Sequence, residues 1–234
     1  MRRTYQAPVL VLLAVVVCVL AACNNTDYVA PNQSRPTPVS GTFRGCPAKG
    51  SGGDPQLNTL ENRVDDPGEA KFTPYSLDAL TNLGAPTNEM GRNRSGWQSA
   101  DLKQVGQYEG LPVQTTGYVT AIRYVGPEPV NCNSTTAVNY YLWISDNASD
   151  APALGMVTVI TPRVQASRPG WTLAMIRSLP GNYIRVSGWF LFDQEPPATL
   201  GLPSATHWEV HPIMHIDVDV HSKWVNVDQK PLAG

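Results

Sequence analysis

From residue 111 onward the chain is a succession of short runs rich in β-branched and aromatic residues, and the order of these runs restricts what it can fold into. The first, residues 113–125 (VQTTGYVTAIRYV), suits a pleated, half-buried surface, and Gly117 in its middle marks a bulge or bend. Residues 140–145 (YYLWIS) and 156–160 (MVTVI) read as the next two strands, the latter stopped by Pro162. Residues 170–179 bring Leu173, Ile176 and Leu179 into helical register before Pro180-Gly181 ends the stretch. Residues 183–192, with Gly188 at their centre, and residues 206–220 complete the series. Three strands, a helix and two strands predict a mainly β fold: an OB-fold-like five-stranded Greek-key barrel with a short helix between strands 3 and 4. Another small barrel or a sandwich are the alternatives. With 21 Pro and 19 Gly among 234 residues, the chain stays below the level of a disordered sequence.

Residues 43–110 are turn-rich. Leu57, Leu60 and Val64 have the spacing of one short helical face. A second short helix is expected over residues 73–84, capped by Ser76, with Leu77, Leu80 and Leu83 as its stripe and Gly84 as its end. Residues 85–110 read as polar and irregular, with Arg92, Arg94 and Trp97 the notable side chains. The predicted organisation is an N-terminal extension (43–110) packed on the barrel (111–221), followed by a tail (222–234).

At the other end, Arg2 and Arg3 precede an uncharged run over residues 7–20. This run is shorter than the roughly 20 residues a membrane-spanning helix needs, but suits a signal-peptide core. It closes on Leu20-Ala21-Ala22-Cys23, which resembles the bacterial lipobox. The resemblance implies removal of residues 1–22, a lipid on Cys23 and anchoring in the bacterial cell envelope. With Asn24 next, the outer membrane is expected where the host has two membranes. An ordinary secretory signal with a chance cysteine is the alternative. Residues 23–42, rich in Pro, Ser, Asn and Thr, read as a flexible tether. Cys18 leaves with the signal, so only Cys46 and Cys132 remain to pair. Two free thiols or a metal-binding pair are the other readings. Closing that loop would stabilise the fold by about 4–5 kcal/mol in the chain-entropy model.

Gly45-Cys46-Pro47, Leu57-Asn58, Asn62-Arg63, Gly117-Tyr118-Val119, Cys132-Asn133, Ile160-Thr161-Pro162-Arg163, Val186-Ser187-Gly188-Trp189 with Asp193, and Trp208-Glu209-Val210-His211-Pro212 are scattered along the chain. Together they are similar to a group of uncharacterised bacterial secreted or surface proteins. The resemblance covers about residues 45–220 and implies the OB-like fold without an activity. Members of that group carry a second Cys beside Cys132 and a His in the following strand. This chain has Asn131, Asn133 and Asn139-Tyr140-Tyr141 there, which departs from the pattern.

All four histidines lie between residues 207 and 221. Strict alternation along the last strand places His207, Glu209, His211, Ile213, His215, Asp217, Asp219 and His221 on one face. Histidine and carboxylate are zinc or copper ligands, so Glu209, His211 and His207 are the metal-ligating candidates. Residues four apart on a strand lie about 13 Å apart, so His207 and His211 share an ion only across a bend. Pro212 removes a ladder donor and predicts an edge or bulge that would re-aim His211 inward. The competing reading is a solvated face for His207, His215 and His221, with Glu209 and His211 structural. Trp208, Trp189 and Arg163 are the further structural or binding candidates, and Tyr140, Trp143 and Trp171 join the two tryptophans as rings able to stack on sugars or bases.

No G-x-S-x-G elbow, H-E-x-x-H, P-loop or dinucleotide turn is present. A phosphodiesterase built from Asp217 and Asp219 with Arg123 or Arg185 matches no known spacing. Lys+Arg 17 against Asp+Glu 19, net −2, lacks the basic excess of a nucleic-acid binder. The expectation is an envelope-anchored lipoprotein acting as a non-catalytic binding module for a protein or saccharide, without a cofactor. A metal-binding or metal-dependent hydrolytic protein using Glu209 and His211 is the first alternative, and a single-stranded nucleic-acid binder the second.

Overall fold

The computed structural model describes residues 26–86, 88, 93–194 and 200–228. Residues 1–22, Cys23, Cys18 and Arg92 therefore lie outside the described residues, as does the end of the tail. The fold is mainly β, with one mixed seven-stranded sheet and a few short helices. The strands are β1 (Thr73–Pro74), β2 (Pro112–Val125), β3 (Asn139–Ser145), β4 (Met156–Ile160), β5 (Tyr183–Phe192), β6 (Trp208–Asp219) and β7 (Trp224–Asn226). The helices are α1 (Pro55–Glu61), α2 (Leu77–Thr81), α3 (Ser99–Val105), α4 (Pro162–Gln165) and α5 (Leu173–Ser178). No helix among the described residues is long and apolar enough to cross a membrane.

Sheet pairing returns to its starting strand. β2 pairs with β3, β3 with β4, β4 with β6, β6 with β5, and β5 with β2; only the β4–β6 contact in this circuit is parallel. β2 can serve two neighbours because its first half pairs with β5 and its second with β3, the handover falling at Tyr118, beside Gly117. The register shift in β2 lies between Val119 and Ala121 rather than at Gly117. Gly117 is needed for a different reason: a Cβ there would come within 3.1 Å of the Ser145 carbonyl oxygen. α4 and α5 sit between β4 and β5, and Thr161 and Thr172 cap them through their hydroxyls. β7 extends the sheet by pairing with β6, so part of the expected tail is a strand.

One apolar core takes residues from both the sheet and the extension. Trp189, Phe190, Trp208, Val210 and Ile216 from the strands share it with Phe72, Leu77, Leu80, Trp97 and Val105. Each large side chain fully removed from water in this way contributes about 1.5–3 kcal/mol. The capping Ser76 and the buried Leu77 and Leu80 of α2 follow the sequence expectation.

Three expectations need correction. Residues 26–42 do not hang free: Val29 is buried, Thr26 N–H donates to the Pro74 carbonyl (3.0 Å), Asn32 N–H to Gln107 (3.0 Å), and Val64 N–H to Val39 (2.9 Å). The apolar face expected for α1 is exposed or half-exposed, whereas Asn58, Glu61, Asn62 and Arg63 are buried. α1 packs on irregular backbone whose carbonyls need donors: Asn58 Nδ2 bonds the Lys49 and Gly52 carbonyls, and Asn62 Nδ2 those of Ala48 and Val130. Within 85–110, the polar stretch contains α3, which buries Val105 alone of its apolar residues and so shows no stripe.

The extension is fastened at two points. Cys46 and Cys132 form a disulfide. Arg163, 5% exposed at the start of α4, donates to Asn62 Oδ1 (2.7 Å) and to the carbonyls of Gly41, Cys46 (3.0 Å) and Pro47 (2.9 Å).

Alternation in β6 breaks twice. Ser187 opposes His215, Gly188 opposes Ile213 and Phe190 opposes Val210, so β6 carries extra residues around Pro212. Gly188 is what lets the bulged strand approach: a Cβ at that position would lie 2.3 Å from the Pro212 carbonyl oxygen and 3.0 Å from Ile213 Cα. Gly188→Ala is therefore expected to destabilise the fold by about 2–3 kcal/mol, with backbone displacement, against a negligible change for Gly84→Ala, where no atom lies within 4 Å. Equal denaturation midpoints for the two variants would refute the close approach.

Candidate functional site

The polar face of α1, β3 and the segments after β2 and β5 converge on one cavity of about 350 Å³. α1 and its cap contribute Asp54, Leu57 and Glu61; β3 contributes Tyr141; the segments after β2 and β5 contribute Glu128, Val130, Asp193 and Gln194, with Arg94, Trp97, Val125 and Leu200 closing the sides. Asp54 is committed to structure, its Oδ1 capping α1 and its Oδ2 accepting from the Arg94 N–H (2.7 Å). Arg94 forks onto Glu109 (2.6 Å to each oxygen) and also donates to the Phe192 carbonyl, while its Nε is buried without a partner.

Glu61 is the odd member. It is 7% exposed, lines the cavity, and its carboxyl makes no hydrogen bond among the described residues. Burial, followed by the nearby carboxylates of Asp193, Glu128 and Glu209, pushes its pKa well above the usual carboxylate range, against the opposing pull of Arg94. Opposite it, Tyr141 Oη donates to Glu128 Oε1 (2.6 Å) and receives Asn139 Nδ2 (3.4 Å), which in turn leads through Asn139 Oδ1 to Asn131 Nδ2 (3.0 Å). Burial and the charges of Glu128 and Glu61 raise the Tyr141 phenol well above its ordinary value, so it stays a neutral donor. Asn131, Asn139, Tyr141 and Glu128 thus form one hydrogen-bonded row.

Glu209 and His211 are buried beside this row, as the bulge at Pro212 led one to expect for His211. His211 Nδ1 lies 3.4 Å from Glu209 Oε2, and its ring meets Tyr141 edge-on at 6.4 Å. Burial holds the imidazole down at about 4, only partly countered by Asp193, so this is a long hydrogen bond from a neutral ring rather than an ion pair. Nε2 is left without a partner among the described residues. His207 is elsewhere, half-buried with its ring 5.8 Å from that of Phe192. Among the described residues no group of three His, Cys, Asp or Glu is disposed to hold a metal ion, so Glu209 and His211 remain a pair without a third ligand.

The other sequence candidates are structural. Trp208 stacks on Phe190 at 4.8 Å, and Trp189 carries the Arg63 guanidinium on its face at 3.4 Å while its Nε1 donates to Asp65. Trp143 and Trp171 are buried as well, leaving Tyr140 alone of the five rings partly open. The expected solvated histidine face is only partly so: His221 is exposed, whereas His215 sits 3.0 Å from Asp66. Asp217 is buried and paired with Arg185 (2.7 Å). Sequence reasoning missed Glu61, Glu128 and Tyr141 as site residues. Their signal was faint, a buried polar face on α1 that periodicity in apolar residues does not report.

No protein-family model matches this chain, and none of the curated proteins does.

Two buried groups give opposite pH signatures. The unfolded chain protonates His211 near 6.5 while the folded one resists to about 4, so stability falls as pH drops through that window, by up to about 1.4 kcal/mol per unit. The folded chain keeps a proton on Glu61 that the unfolded chain loses near 4.5, so its contribution is complete below 4.5 and declines as pH rises above it. In urea titrations from pH 4.5 to 8, His211→Asn is expected to lack the first slope and Glu61→Gln the second. A Glu61→Gln profile parallel to wild type would refute the raised pKa.

Proposed function

We propose that the chain is an envelope-anchored lipoprotein, acylated on Cys23, whose folded part is an OB-fold-like five-stranded barrel serving as a non-catalytic binding module. The order of pairing, with three antiparallel strands, a helical crossover and a parallel closure of β4 on β6, supports the barrel. The basic start, uncharged run and Leu20-Ala21-Ala22-Cys23 support the anchor. One observation carries the binding role: a cavity of about 350 Å³ into which a nine-tenths buried carboxyl, Glu61, opens with no hydrogen bond among the described residues. Buried polar groups are almost always partnered, and this cavity is of ligand size. Among the described lining residues, Tyr141 is held as a donor to Glu128 rather than as a nucleophile with a paired base. The partner is a small molecule or a protruding group of an envelope protein or saccharide. A net charge of −2, without a basic excess, favours a partner other than nucleic acid.

Growth of a bacterial host expressing the full chain with an alkyne fatty acid tests the anchor. Label is expected on the wild type and absent from Cys23→Ser, and an unlabelled wild type would overturn it. Native mass of the envelope-extracted protein, purified without chelator, tests the module. A chelator-removable metal ion lost in His211→Asn would replace the non-catalytic reading with the metal one.

A further inference from the structure

Resting on that reading of the cavity as a binding site, we infer that its ligand is an organic cation: an ammonium or guanidinium group on a short aliphatic stem, received by Glu61. The charge balance of the cavity is the first argument. Asp193, Glu128 and Glu209 lie close enough to act on Glu61, and Asp54 and Tyr141 complete its titratable surroundings. Arg94 is the one described cation on the lining, and its charge is paired with Glu109 through both Nη atoms. A cation entering here meets the Glu61 carboxyl in a low-dielectric enclosure, where its attraction to that group is strong.

The second argument is Glu61 itself. An enclosed carboxyl without a hydrogen bond either keeps a proton or meets a counter-charge. An ammonium supplies that counter-charge and a strong charge-assisted hydrogen bond at once. Shape gives the third. Leu57, Val125, Val130 and Leu200 provide apolar wall for a stem of a few methylenes, and about 350 Å³ accommodates one. A metal ion does not meet these terms, because no three ligating side chains are grouped among the described residues.

In the binding step the Glu61 carboxyl releases its proton to solvent as the cation docks, so affinity rises with pH until Glu61 is ionised without ligand. The same headgroup reaches the cavity either as a free amine or as a Lys or Arg side chain of a partner.

Titration calorimetry on the full-length, detergent-extracted protein separates these cases with four probes: cadaverine, agmatine, a Gly-Lys-Gly peptide and, as a neutral control, N-acetylglucosamine. Expected is binding of cadaverine or agmatine that tightens between pH 5.5 and 7.5 and weakens at least tenfold in Glu61→Gln. Stronger binding of the peptide than of cadaverine would assign the cation to a partner's side chain, which supports the same chemistry. Because Glu61→Gln also alters a buried site, Leu57→Trp, which fills the cavity from its half-exposed rim, is expected to weaken the same probes with Glu61 intact. Failure of all three cationic probes to bind folded wild type, or equal affinity in Glu61→Gln, overturns the inference. If N-acetylglucosamine binds instead and Leu57→Trp abolishes it, the cavity remains a binding site and only the cationic ligand falls. If no probe binds and the native mass shows no adduct, the binding module falls with it.

Discussion

The buried guanidinium of Arg163 is the interaction on which the rest of the structure depends. It leaves α4, immediately after β4, and gathers Asn62 and the carbonyls of Gly41, Cys46 and Pro47. The segment it holds has almost no regular secondary structure, so its carbonyls have no ladder to bond to and would be left unsatisfied against the sheet. A planar group with five donors answers several of them together, which a lysine with a single point charge cannot do. Asn62 passes the connection on to Ala48 and Val130, and the Cys46–Cys132 disulfide closes the same patch covalently. The extension is thereby fixed in place on the sheet, and α1 with it.

Fixing α1 this way has a consequence for chemistry. Its inward face is chosen by the need to supply donors to loop carbonyls, so Asn58 and Asn62 point in and Leu57 and Leu60 stay partly open. Glu61, between them, is carried inward without a hydrogen-bond partner, toward Glu128, Asp193 and Glu209. A cluster of like charges at that depth works against folding unless protons or a ligand offset it.

The strands were legible from sequence because each obeys a local rule. Residues 156–160 and 183–192 match β4 and β5 at both ends, since β-branched and aromatic runs bounded by Pro, Gly and Asn depend only on neighbours. The parity of β6 was not legible. Reading strict alternation put Ile213 with the polar residues, yet Trp208, Val210, Ile213, Met214, Ile216 and Val218 all enter one core. Two register shifts around Pro212 insert residues that no alternation rule counts. The tryptophans had two readings, core packing and open stacking surfaces, and Trp143, Trp171, Trp189 and Trp208 are all buried. Composition states how many large rings a chain has and not which side of a strand faces the interior.

By itself, the sequence determined the mainly β class, the extent of the long strands, the Ser76 cap of α2 and the pairing of Cys46 with Cys132. These follow from propensity, capping chemistry and counting, which act over a few residues or over a set of two. Only the tertiary structure decided that Glu61, Glu128, Tyr141 and Asp193 line one cavity, with Glu209 near enough to act on Glu61. Charge and desolvation act through space between residues far apart in the chain, and their sum at a point exists only once folding has placed the groups.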